Sequence, residues 1–378
     1  MITTFSFPTK IIFGPGAIAQ LGAALTELGG IRPLVVTDKG IVASGIIKQV
    51  TVPLKKNGVE FSLFDNVTSN PVEENVWAGV THFQQERCDS IIALGGGSPI
   101  DVAKAIGLMA THPPPMAQYD DKFEGWKFVR PIIPPLIAIP TTAGTGSEVG
   151  RSTVITLKAT QRKTVIFSPH LLPRVALCDP ELTLKLPPHI TAATGMDALT
   201  HCVEAYLAKG YHPMCDGIAL QGMRLIAKSL LRAVHYGDDV DARTSMMMAA
   251  SMGAVAFQKG LGVCHSLAHP LSTIAGLHHG LANAIMLPYV LEFNQSAAPE
   301  RLVDIAAALD GKKDEPAAAI VKRLNKFAGI PDKLSAAGVK AEQVPAMVEQ
   351  AFEDASHLLN PRSVSKDDLK NLYEKALL

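Results

Sequence analysis

The chain has 378 residues, enough for two domains that each bury a core of their own. Its 35 Lys and Arg balance its 35 Asp and Glu, so no overall charge draws it to nucleic acid or to an anionic membrane surface. With 47% hydrophobic and 19% charged residues it has the composition of a globular enzyme, and no apolar run reaches bilayer length, so neither nucleic acid nor membrane is expected as a partner.

The opening MITTFSFPTKIIFGPG lacks a basic segment followed by a continuous apolar stretch, and no signal peptide is expected. The five cysteines (Cys88, Cys178, Cys202, Cys215, Cys264) are odd in number and show no C-x-x-C spacing. They argue against a disulfide framework and for a reducing, cytoplasmic setting. FGPGAIA, after the short apolar run KIIF, formally fits G-x-G-x-x-A, with Asp38 roughly 20 residues downstream. A lone match of this kind is weak, and Gly14 and Gly16 read better as a turn into the first helix.

Up to about Asp179, IRPLVVTD, VEFSLF, CDSIIAL, PPLIAIP, STVITL and RVALCD read as buried or half-buried strands. GAIAQLGAALTELG, NPVEENVWAGVTHFQQE and SPIDVAKAIGLMA lie between them with helical spacing. This alternation predicts an α/β domain with a largely parallel, Rossmann-like sheet covered by helices on both faces.

Within it, IIALGGGSPIDVAKAIG is the most informative stretch. A strand ends at Leu94, three glycines follow and a helix opens; Ser98 suits the N-cap, Pro99 the first helical position and Asp101 the capping-box acceptor. Three glycines exceed what a cap needs, and bare backbone N–H groups at a helix N-terminus suit a diphosphate. Asp38, at the tip of LVVTD, suits a ribose diol and would repel a 2′-phosphate, favouring NAD over NADP; by itself it is equally an ordinary loop aspartate. The hydroxyls of PTTAGTGSE (Pro140–Glu148) can bond phosphate, ribose or an amide. In the following GRSTV, Arg151 either pairs bidentately with a substrate carboxylate or is a surface arginine. Phe257 is a second candidate for the substrate pocket.

After LPPHI (Leu186–Ile190) strand-like runs give way to long Ala/Leu/Met-rich helical stretches. The expected domains are residues 1–184, α/β and NAD-binding, and residues 185–378, all-helical and catalytic. Met246–Met248 read as core filling. In DALTHCVEAY, Asp197 and His201 share one helix face at i, i+4, which alone is a common local hydrogen bond. Four of the twelve histidines, however, fall in GLGVCHSLAHPLSTIAGLHHGLANA: His265, His269, His278 and His279. An ion at Asp197 and His201 needs two further donors, which this window can supply. One carboxylate with imidazoles suits Fe²⁺, Zn²⁺, Co²⁺ or Ni²⁺. His269, one turn past His265, is placed for proton transfer outside the ligand set.

GGGSPID, PTTAGTGSE, DALTHCVEAY, HSLAHPL and HHGLANA, in that order, resemble the iron-containing (group III) alcohol dehydrogenases. The likeness runs from FGPGAI to the late NPR (Asn360–Arg362). It implies a dinucleotide-binding α/β domain followed by a helical metal domain, in a homodimer or larger homo-oligomer. It also implies Asp197, His201, His265 and His279 as ligands of a divalent metal, Fe²⁺ first and Zn²⁺ as the alternative, with His269 as an additional active-site histidine. For NAD it implies Gly96, Gly97, Ser98 and Asp101 at the diphosphate, Thr141, Thr142 and Thr145 on a second cofactor loop, Asp38 and Asn70 on the adenosine side, and Lys163 as a cofactor contact. Two departures stand out: His278 where proline is frequent, and Ser272 where glycine is frequent. The implied reaction is hydride transfer between NAD and a short-chain alcohol, diol or hydroxy acid, giving the aldehyde or ketone. A hydroxyacid–oxoacid transhydrogenase with retained NAD is the alternative; a metal-dependent hydrolase would have no use for the GGGS turn.

Overall fold

A computed structural model describes residue 7, residues 9–160 and residues 162–378. Residues 1–6 and 8, on which the leader expectation partly rests, lie outside them. The chain forms two units: one runs through Thr142 and resumes over Gly146–Lys185, the other comprises Ala143–Thr145 and Leu186–Leu378.

The first unit contains β1 (Lys10–Phe13), β2 (Pro33–Val36), β3 (Ser62–Phe64), β4 (Ser90–Gly95), β5 (Leu136–Pro140), β6 (Ser152–Leu157), β7 (Arg162–Phe167) and β8 (Val175–Cys178). Six of these form one sheet in the order β1-β8-β5-β4-β2-β3, every neighbouring pair parallel. Successive residues of the central strands feed opposite cores. Leu34, Val36, Ile91 and Ala93 join one cluster with Val76, Val80 and Ile106 from the helices Glu73–Gln85 and Gly97–Met109. Val35, Ile92 and Leu94 join the other with Leu21, Leu25, Val50 and Leu54. Burial on both faces is why these strands are uninterrupted apolar runs.

STVITL departs from expectation. It is β6, which pairs antiparallel with β7 in a separate two-stranded sheet rather than joining the parallel one. Its burial alternates, with Thr153, Ile155 and Leu157 inside, the mark of a half-buried strand. KIIF and RKTVIF, unassigned from the sequence, are β1 and β7. The FGPG segment is a turn. Gly14 and Gly16 have φ of 131° and 79°, the Gly14 N–H donates to the Cys178 carbonyl (3.1 Å), and the Ile18 N–H donates to Asp179 Oδ2 (3.1 Å).

The chain moves outward from β2 to β3, then returns past β2 to β4, so strand order reverses between β2 and β4. In open α/β sheets, ligands bind beyond the carboxyl ends of the strands at such a reversal. Asp38 follows β2, and Gly96 follows β4.

The second unit is helical, with no strand among its described residues. The helix Pro188–Leu207 is buried at every position from Thr191 to Leu207. Met196, Leu199 and Val203 pack in one cluster with Met223, Ile226, Leu230 and Met246, consistent with methionine as core filler. No helix among the described residues is long and apolar enough to cross a membrane.

Candidate metal centre and cofactor loops

Asp197 and His201 project from the Pro188–Leu207 helix, His265 and His269 from Val263–Thr273, and His279 is the first residue of His279–Asn294. One ligand atom each from Asp197, His265 and His279 lie within 4.8 Å of one another. The close approach depends on Gly280: a Cβ there would stand 2.2 Å from the Ala193 carbonyl oxygen. With glycine at the crossing, His279 Nε2 reaches 3.6 Å from Asp197 Oδ1. His278, one residue earlier, is exposed, whereas His279 is half-buried.

His201 is not within that three-atom group, but its ring stacks on His265 with centroids 4.8 Å apart and lies against Phe257 at 5.1 Å. Its Nδ1 is buried and makes no hydrogen bond of normal geometry. Burial pushes the His201 imidazole down to about 4, against the opposing pull of Asp197, so the ring is neutral at neutral pH and keeps a lone pair for a cation.

Sequence reasoning missed three neighbours. Glu204 is buried; its Oε1 accepts from the Cys264 N–H (2.6 Å), and its Oε2 accepts from the His265 N–H (3.3 Å) and from His265 Nδ1 (2.6 Å). One carboxylate thus caps the helix bearing His265 and turns Nε2 of that ring toward the cluster. Burial works against a charged His265, yet the Glu204 carboxylate outweighs it and leaves the pKa raised. The signal was present: Asp197, His201 and Glu204 follow at i, i+4 and i+7, one face of one helix. Asp354 accepts from His269 Nδ1 (2.7 Å) and from Ser266 Oγ (2.9 Å). Burial opposes ionisation of Asp354, but His269 and the Ser356 hydrogen bonds hold its carboxyl well below the usual range. Asn283, at the middle of the cluster, is the third. Asn283 follows His279 at i+4 on one helix face, the same kind of signal, whereas no local pattern announces Asp354.

In the α/β unit, Asp38 caps the helix Lys39–Ser44 by accepting from the Ile41 N–H (2.9 Å). The turn after β4 differs from expectation at Ser98. The N-cap is Gly96 and the helix starts at Gly97; the Ser98 hydroxyl instead donates to the Ser69 carbonyl (2.7 Å). Gly95, at φ 148°, would drive a Cβ to 2.6 Å from Pro99, and one at Gly96 would stand 3.2 Å from Thr142 Oγ1. Thr141 is buried beside them, its N–H donating to the Gly95 carbonyl (3.0 Å). Asn70 follows β3 and accepts from the Thr68 hydroxyl through its own carbonyl.

Both Asp101 oxygens are engaged within the unit, by Ser147 Oγ (2.6 Å) and by the Val154 N–H (2.9 Å). One turn on, buried Lys104 donates to the carbonyls of Ser147, Gly150 and Ser152 at 2.8–3.0 Å. Burial pushes this ammonium down to about 8, with Asp101 and Glu148 holding it up. Lys163 lies half-buried on β7 and its charge is felt at Asp101. Arg151 sits over the Phe167 ring at 5.3 Å. Thr145 belongs with the helical unit.

Residues 8–180 match the model of iron-containing alcohol dehydrogenases, and residues 191–377 match that of the C-terminal domain of Fe-containing alcohol dehydrogenases. The chain is 40% identical over 378 residues to a 4-hydroxybutyrate dehydrogenase of Cupriavidus necator, covering 98% of each. It is 37% identical over 385 residues to an NAD-dependent methanol dehydrogenase of Bacillus methanolicus, covering 100% of each. Among solved structures, a 1,3-propanediol oxidoreductase superposes with a TM-score of 0.95 at 39% identity, over 100% of both chains. The sheet with its glycine turn, the helical unit with its carboxylate and histidines, and these matches across both halves agree: the chain belongs to the iron-containing alcohol dehydrogenase family and is an oxidoreductase acting on alcohols.

Proposed function

We propose that the protein holds one divalent cation at Asp197, His201, His265 and His279, and uses NAD to interconvert a short-chain alcohol, diol or hydroxy acid with its aldehyde or ketone. The observation that carries this reading is the convergence of a buried carboxylate and two imidazoles from three helices. Gathering such donors away from water is costly unless a cation compensates them. Adding neutral His201 gives one oxygen and three nitrogens, a set that suits Fe²⁺ and equally Zn²⁺. When bound, the cation supplies a Lewis acid that polarises the substrate oxygen.

The chain's own groups do the rest. Glu204 fixes the His265 tautomer. Asp354 accepts a hydrogen bond from His269 Nδ1, which leaves Nε2 to accept a hydroxyl proton and pass it to solvent. NAD, when bound, supplies the hydride acceptor. Gly96, Gly97 and Ser98 present backbone N–H groups to its diphosphate at the start of a 13-residue helix. One Asp38 oxygen caps a helix, and the other is the acceptor for a ribose hydroxyl. Asn70 serves the adenosine side, and Thr141, Thr142, Thr145 and Lys163 serve the remainder of the cofactor. Asp101 supports the same loops from behind, by tying Ser147 and Val154 to the helix. The NAD dependence in the name of the methanol dehydrogenase relative supports this cofactor.

Chelation tests the reading. Metal-stripped protein should form no NADH from 1,3-propanediol or butanol, and Fe²⁺ or Zn²⁺ should restore it; full turnover by verified metal-free protein rejects the proposal. For the substrate, the name of the 4-hydroxybutyrate relative supports a hydroxy acid, whose carboxylate Arg151 would pair with. Arg151→Ala should lower kcat/KM for 4-hydroxybutyrate by about tenfold or more relative to butanol, the scale of one charge-assisted hydrogen bond. An unchanged ratio removes Arg151 from the pocket.

A further inference from the structure

Asn283 is fully buried, one turn after His279 on the same helix. Its Nδ2 donates to Asp197 Oδ1 at 2.8 Å and stands 3.4 Å from His265 Nε2 and 3.2 Å from His279 Nε2. It therefore faces all three atoms that converge on the centre. Donor and acceptor accounting fixes which way the amide points. Glu204 Oε2 accepts a hydrogen bond from His265 Nδ1, so the neutral ring carries its lone pair on Nε2, and the Asp197 carboxylate is an acceptor. A carboxylate oxygen calls for the NH₂ end of the amide, and that end faces it. The consequence is visible at the other end, where Asn283 Oδ1 is buried without a hydrogen-bond partner. An orphaned buried oxygen is tolerated here in exchange for an NH₂ group that donates to Asp197 and faces both ring nitrogens.

We infer that Asn283 is a positioning residue that keeps the metal centre assembled before the cation arrives, its amide N–H groups standing in for positive charge among ligand atoms that would otherwise push one another apart. The inference rests on the metal reading above. With a cation held by the rings, the amide would still have its bond to Asp197 and would fix that carboxylate's rotation. A site held ready in this way spends less of its binding energy on reorganisation.

The test uses full-length protein stripped by a chelator, with Zn²⁺ titrated against a competing indicator and thermal melting followed with and without Zn²⁺. Asn283→Ala should bind Zn²⁺ about 10–100-fold more weakly than wild type, with unchanged helical circular dichroism. If that variant does not fold, Asn283→Asp keeps the shape and replaces the donor by a second carboxylate against Asp197. Its metal-free form should melt below metal-free wild type, and Zn²⁺ should raise its melting temperature by more than it raises that of wild type. Undiminished Zn²⁺ affinity in Asn283→Ala, or an equal Zn²⁺-induced rise in Asn283→Asp, overturns the inference and leaves the metal reading standing. Absence of Zn²⁺ binding by wild type overturns the metal reading itself.

Discussion

His265→Ala is expected to lose bound metal and turnover together, with kcat/KM falling by on the order of 10³-fold or more, the scale of several kcal/mol of Lewis-acid stabilisation. The ring is 2% exposed, contributes one of the three converging atoms and is aimed by a buried carboxylate. Its removal also leaves Glu204 Oε2 short of its nearest partner, a loss of about 1–3 kcal/mol in the metal-free protein. The helix should survive, because Glu204 Oε1 still accepts from the Cys264 N–H. Metal content, kcat/KM and melting of the stripped protein separate the two effects. A variant that folds, retains stoichiometric metal and turns over normally removes His265 from the centre.

The second large effect is expected at Gly95→Ala. Its φ of 148° is accessible in practice to glycine alone, and a Cβ would meet the Pro99 ring at 2.6 and 2.9 Å. A proline ring in the first turn of a helix cannot swing aside as a long side chain does, so the turn itself must move. Strain of this kind costs about 1–3 kcal/mol. Because the turn carries the amides assigned to the diphosphate, KM for NAD should rise by about tenfold or more, with kcat at saturating NAD much less affected. Gly29→Ala is the control. Gly29 also has positive φ (71°), but nothing stands within 4 Å of a Cβ there, so it should lose stability without changing KM for NAD. Equal KM in Gly95→Ala and wild type would detach the glycine turn from the cofactor.

The parallel sheet was legible because its central strands are buried on both faces and read as unbroken apolar runs. β6 was misassigned to it because a run of β-branched residues marks a strand without naming its partner, and the alternating burial that distinguishes it depends on what packs against each face. The Ser98 cap failed for a related reason. Glycines before it let the helix begin at Gly97, and the hydroxyl found a carbonyl on another loop. Helical spacing announced Asp197, His201, His265 and His269, since one period governs them. The partners that orient them were hidden by distance along the chain: Asp354 lies 85 residues from His269, and Asn360, which accepts from the Val263 N–H, 97 residues from that amide. A sequence read locally reports which faces a helix presents, and only the assembled core reports which face meets which.

The crossing at Gly280 decides how closely two helices of the cluster can approach. With a backbone carbonyl 2.2 Å from where a Cβ would lie, this contact acts as a spacer of minimum thickness between the helices carrying Asp197 and His279. Any larger residue would be a wedge that forces the two helices, and with them Asp197 and His279, apart. The spacing of the cluster is therefore set by a residue that offers it no side-chain donor at all.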